Sequence, residues 1–242
     1  MNTKNAILVV SFGTTYADTR EKTIEAIENR IRDAYPQYTI RRAWTSKMII
    51  RKLKDRDHYH VDAVAEAMEK LAEEGFQRVL LQPTHVINGI ENEQMIRDAM
   101  AFENQFESIC FGVPLLTSEE DSCQVIKALT EEMGPVSSDT ALVYMGHGTT
   151  HYANTVYAAL DYRMKDMGYS NVFLGTVEAY PSLDTMKKKL KEGGYQKVIL
   201  APFMIVAGDH ATNDLSGEEP DSWKSRFEEA GFSVQCILKG IG

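Results

Sequence analysis

Two histidines and a glutamate lie directly behind short β-branched runs: His147 follows "ALVYM", Glu178 closes "NVFLGTVE", and His210 comes just past "VILAPFMIVAGD". Two imidazoles and one carboxylate suit a divalent metal held with a coordination position open, since a purely structural site is more often closed by four protein ligands. Gly146 and Gly148 remove side-chain bulk on both sides of His147, so a large flat ligand can approach the imidazole closely. Each residue also has a plainer reading: a hydrogen-bonded loop histidine, a solvated acid ahead of Pro181, and a helix cap behind Asp209. Their shared place at strand ends is what favours one site. His151 stands four residues from His147, a spacing that serves a metal only on a continuous helix, and "GHGTTH" is a poor helix, so it is expected around the site and not as a ligand. His85, in "PTHVIN", is expected near a cleft floor or in the core, and His58 and His60 in a solvent-facing loop.

Strand ends meet only if the strands run parallel, and the rest of the chain says that they do. Short β-branched runs alternate with longer amphipathic segments throughout, the pattern of crossover units with helices on both faces of a sheet. "AILVV" reads as a buried strand. Asp18 with Glu21 then starts a helix carrying Ile24, Ile27 and Ile31, and Pro36 ends it. "YTIRRAW" is a strand, Asp62 to Glu74 a helix stopping at Gly75, and "RVLLQP" a strand. A helix near Gln94 to Phe102, the strand "SICFGV" and a helix capped by Thr117 and Glu120 follow, before a linker at 135 to 140. The series then restarts: "KLAEEGFQRVLLQPTHVINGIENE" (70 to 93) aligns without a gap on "KLKEGGYQKVILAPFMIVAGDHAT" (189 to 212), setting Gly75 on Gly194, Pro83 on Pro202 and Gly89 on Gly208. A period this long is no solenoid. The expectation is an α/β protein of two similar doubly wound halves, residues 1–134 and 141–242, related by internal duplication and facing each other across a cleft. The second half carries the candidate ligands; Phe12 corresponds to His147 and Glu91 to His210. It ends at "VQCILKGIG" where the first half continues into a helix, so a final helix is expected to be missing.

Composition removes several classes of function. A net charge of -9 argues against a general nucleic-acid binder. "AILVV" is too short for a secretory core and no later run approaches a membrane span, so a cytoplasmic protein without a membrane partner is expected. The three cysteines, Cys110, Cys123 and Cys236, form no C-x-x-C pair and read as small buried apolar residues in a reducing compartment. From Arg41 to Arg56 the chain holds seven basic residues against Asp55 alone, either a solvated helix face or a receiver of carboxylates. No G-x-x-x-x-G-K-[ST] loop is present, so no nucleotide is expected. A homo-oligomer stays open.

The motifs "LVVSFGTTYADT", "TSKMIIRKL", "INGIENE", "GVPLLTSEEDS", "MGHGTTHYA", "VEAYPS" and "VAGDHATND" together resemble the anaerobic sirohydrochlorin cobaltochelatases, relatives of the ferrochelatases among the ATP-independent chelatases. The likeness covers essentially the whole chain. It implies insertion of cobalt(II), the substrate metal, into sirohydrochlorin or precorrin-2 in anaerobic cobalamin synthesis. It also implies that His147, Glu178 and His210 bind the metal, that His147 accepts a proton, that His210 shares in catalysis, and that Glu91 faces the site from the other half. Ser11, Phe12, Gly13 and Thr14 then pack against the ring, and the basic stretch meets its carboxylates. The family normally continues past "LKGIG" with a final helix, matching the gap in the repeat. The alternatives are a chelatase for iron or nickel, a non-catalytic metal or tetrapyrrole carrier and, less well supported, a metal-dependent hydrolase.

Overall fold

The computed structural model describes residues 4–242. Its apolar runs form two four-stranded sheets, parallel throughout. A strand covered on both faces can be apolar along its whole length. β1 (Asn5–Ser11) is buried at every residue after Asn5 and β5 (Thr140–Gly146) at every residue, as central strands should be. The first sheet has the order β2-β1-β3-β4, with β2 at Thr39–Trp44, β3 at Arg78–Pro83 and β4 at Ser108–Phe111. The second repeats it as β6-β5-β7-β8, with β6 at Val172–Thr176, β7 at Lys197–Pro202 and β8 at Ser233–Cys236. In each sheet the chain leaves the first strand to one side and returns on the other. The pairs β1/β3 and β5/β7 are therefore topological switch points, where loops diverge at the strands' carboxyl ends and leave room for a ligand.

Each sheet has its own core. Leu8, Val10, Ala43, Met68, Leu71, Leu81 and Met95 pack against one face of the first sheet. Val143, Met145, Met186, Leu200, Trp223 and Phe227 do so on the second. The chain divides into two compact units, one running up to Leu115 together with Gly242, the other spanning 116–241. The division falls ahead of the 135–140 stretch because the helix Glu119–Met133 packs on the second sheet: Tyr144 donates its hydroxyl to the Leu129 carbonyl at 3.2 Å, and Arg163 pairs with Glu119.

Several local boundaries differ from the sequence reading. The first helix starts at Ala17 behind Tyr16, with no side-chain cap from Asp18, and continues through a π-helical stretch at Glu21–Glu25 into Ala26–Ala34. The helix expected near Gln94 spans Ile90–Met100, beginning behind Gly89. Ser118, not Thr117, caps Glu119–Met133: its Oγ accepts the Asp121 N–H and Asp121 Oδ2 accepts the Ser118 N–H, both at 3.0 Å. The cysteines are not core residues. Cys110 is exposed and Cys123 and Cys236 are half-buried, since β4 and β8 lie at sheet edges and Cys123 on a half-covered helix face.

Candidate metal centre

The three residues singled out by type and position converge. β5, β6 and β7 are neighbours, and His147 follows β5, Glu178 follows β6, and His210 follows β7 across one further loop. One ligand-type atom from each lies within 4.8 Å of the other two. The two imidazole rings stand edge to face, centroids 4.5 Å apart at 88°. Donors on one divalent ion sit about 2.0–2.2 Å from it and so roughly 3–4 Å from one another, a closure within reach of side-chain torsions alone. All three side chains are open to solvent, His147 at 43%, Glu178 at 54% and His210 at 37%, so a cation held there would keep positions free for water or an incoming ligand.

Hydrogen bonds assign the tautomers. His147 Nδ1 lies 2.8 Å from the carbonyl oxygen of Gly148, and His210 Nδ1 lies 2.5 Å from Asp214 Oδ2. Both partners accept only, so each Nδ1 carries a hydrogen and Nε2 is the nitrogen left to face a cation. Asp214 was not picked out from the sequence. Its signal there was the four-residue spacing from His210, which acquires meaning once a helical turn through Ala211–Leu215 puts both on one face.

The backbone around His147 is shaped for this placement. Gly148 has φ +83°, a left-handed conformation, and a Cβ there would meet Thr176 Cβ at 2.9 Å and the Ala179 nitrogen at 3.0 Å. A Cβ on Gly146 would run into the Tyr157 ring at 2.7 Å. The glycine bracket thus lets the His147 loop lie against the loop bearing Glu178, where the Glu178 N–H donates to the His147 carbonyl at 3.0 Å. His151 turns back on its own loop, its Nδ1 accepting the Ala153 N–H at 3.2 Å while the ring stacks on Tyr152.

The other candidates belong to the first unit. Phe12 presents its ring to solvent, 42% exposed, at the end of β1. Ser11 and Thr14 are buried: Ser11 Oγ accepts the Thr84 hydroxyl at 2.9 Å, and Thr14 Oγ1 accepts the Tyr16 N–H at 3.2 Å. Gly13, at φ +103°, lies on Trp44, where a Cβ would come within 2.6 Å of the indole. Glu91 is half-exposed in the first turn of Ile90–Met100. In the basic stretch, Arg42 is held by Glu28 Oε1 and Oε2 at 2.7 and 2.6 Å. Burial lowers its pKa, but the hydrogen bonds and charge of Glu28 more than reverse this and the guanidinium is raised above its ordinary value. Arg41, Arg51 and Arg56 pair with Glu74, Asp55 and Asp57. Lys47 and Lys52 border a surface hollow with Met48 and Arg51. His85 is buried, and His58 and His60 are exposed.

Two parallel sheets with ligand-type residues at the strand ends of the second form the chelatase fold. A solved structure of SirB from Bacillus subtilis with Fe3+ shares it at a TM-score of 0.64, with 11% sequence identity over 98% of this chain and 89% of that one. The chain belongs to the cobalt chelatase (CbiK) family, whose model matches residues 5–242. It is 42% identical over 239 residues to the sirohydrochlorin cobaltochelatase of Salmonella typhimurium, covering 99% of this chain and 90% of that protein. It is 33% identical over 241 residues to the sirohydrochlorin cobaltochelatase CbiKC of Nitratidesulfovibrio vulgaris, covering 98% of this chain and 84% of that protein. Among the described residues, no helix is long and apolar enough to cross a membrane.

Proposed function

We propose that this chain inserts cobalt(II) into sirohydrochlorin, or its more reduced precursor, without a nucleotide, in the anaerobic synthesis of cobalamin. The observation that carries the reading is the convergence of His147, Glu178 and His210 on one point at the carboxyl edge of the second sheet, in a chain of the cobalt chelatase family. Metal insertion asks for a cation held loosely enough to hand over and for removal of two pyrrole protons. Two imidazoles and one carboxylate suit cobalt(II), and their exposed setting lets it leave. His147, once relieved of the metal, is the proton acceptor, with Glu178 passing protons on to water. The three cysteines are free, which suits the reducing cytoplasm.

The test is to mix the protein anaerobically with sirohydrochlorin and cobalt(II) and to follow the absorption spectrum. Metallation should outpace the protein-free control, and His147→Ala and His210→Ala should each remove most of the acceleration. Wild-type rates in both variants would end the assignment, and a protein that binds cobalt(II) and the ring yet never joins them would be a carrier.

A further inference from the structure

We propose that Asn154 is the positioning residue that holds two of the three cation ligands at a fixed separation, an inference resting on the reading that His147, Glu178 and His210 take the metal. His147 and Glu178 sit on separate loops. Next to the sheet these loops are joined by two backbone hydrogen bonds, the Val177 N–H donating to the Gly146 carbonyl and the Glu178 N–H to the His147 carbonyl, each at 3.0 Å, with His147 Nδ1 3.7 Å from Glu178 Oε2. Farther out the amide of Asn154 bridges them. Its Oδ1 accepts the Thr149 N–H at 3.1 Å, and its Nδ2 donates to the Tyr180 carbonyl at 2.7 Å. Thr149 and Tyr180 each stand two residues beyond a ligand, so the clasp closes over both at matching points.

The chemistry requires an amide. One end must accept and the other donate within a single short planar group, which a carboxylate or a hydroxyl cannot reproduce at this span. The clasp is mounted on a firm support. Asn154 N–H donates to the His151 carbonyl at 2.9 Å, and Asn154 directly precedes the helix Thr155–Asp166, whose Tyr157, Leu160 and Met164 are buried. The loop it restrains turns at Gly148, whose φ of +83° is a backbone region open to glycine. A ligand carried by a permissive backbone gains its geometry from partners outside the first coordination sphere, and losing such partners costs about 10–100-fold in metal affinity.

Anaerobic cobalt(II) titration of the full chain, read by the visible ligand-field bands, decides the matter using wild type, His147→Ala, Asn154→Ala and Asn154→Asp. Both Asn154 variants should bind cobalt(II) about 10-fold or more weakly, with shifted band intensities, while the KM for the tetrapyrrole stays at the wild-type value. Asn154→Asp keeps the acceptor for Thr149 and sets an anion against the Tyr180 carbonyl, so it reports on the Tyr180 arm alone. It also decides the question if the alanine variant does not fold. Wild-type affinity and bands in Asn154→Asp, with binding abolished in His147→Ala, overturn the clasp and leave the metal site standing. Binding unaffected by His147→Ala overturns the site and the clasp with it.

Discussion

At His210 a single contact decides which nitrogen carries the hydrogen. Asp214 takes the hydrogen of Nδ1, so Nε2 is left with its lone pair and a fixed ring plane. Asp214→Ala is expected to weaken cobalt(II) binding about 10–100-fold without unfolding the chain, which isothermal titration beside a thermal melt checks. His85 makes a different prediction. It is 8% exposed, and both ring nitrogens are shut off from solvent. Burial pushes its pKa down from 6.5 to about 4, with the neighbouring Asn92 opposing by less. Below pH 6.5 the unfolded chain takes up a proton that the folded one refuses, so this contribution to stability is complete above 6.5 and is lost as pH falls towards 4. It amounts to roughly 3 kcal/mol. Urea unfolding of wild type and His85→Leu between pH 7 and 4 should show the wild type losing that much more; parallel declines would refute it. His147, Glu178 and His210 were legible in the sequence because strand ends mark themselves. Asn154 was not, because its two partners lie 5 and 26 residues away and neither is remarkable by type.

The next scale is that of turns and helices, where the glycine beside His147 is the telling case. Gly148→Ala puts a Cβ against the Ala179 backbone at a φ of +83°. It should cost about 1–3 kcal/mol in stability and weaken cobalt(II) binding, both measurable on one purified variant. The sequence placed this glycine next to the histidine but assigned it to ligand access; the structure adds that it lets two loops touch. Helix starts were less legible than strands. Thr117 and Ser118 are both competent caps, and what separates them is the reciprocal bond between Ser118 and Asp121, which depends on where the chain turns. Likewise Asp18 has the type of a cap but lies inside the first turn, because the helix entered from Tyr16.

For the molecule as a whole, the repeat was the strongest signal. Matched glycines and prolines pointed to two like sheets, and the orders β2-β1-β3-β4 and β6-β5-β7-β8 agree strand for strand. The allegiance of the helix Glu119–Met133 was hidden, since an amphipathic pattern reveals that a face is buried and not which sheet buries it. The corresponding strand ends carry different residues in the two units, Phe12 against His147 and Glu91 against His210. A further consequence follows from the composition of the second unit's triad. A single carboxylate against a dication leaves one positive charge uncompensated, whereas a macrocycle stripped of two protons neutralises it fully. On the proposed function, that residual charge favours handing the ion to the ring once the ring's two protons have passed to a base such as His147.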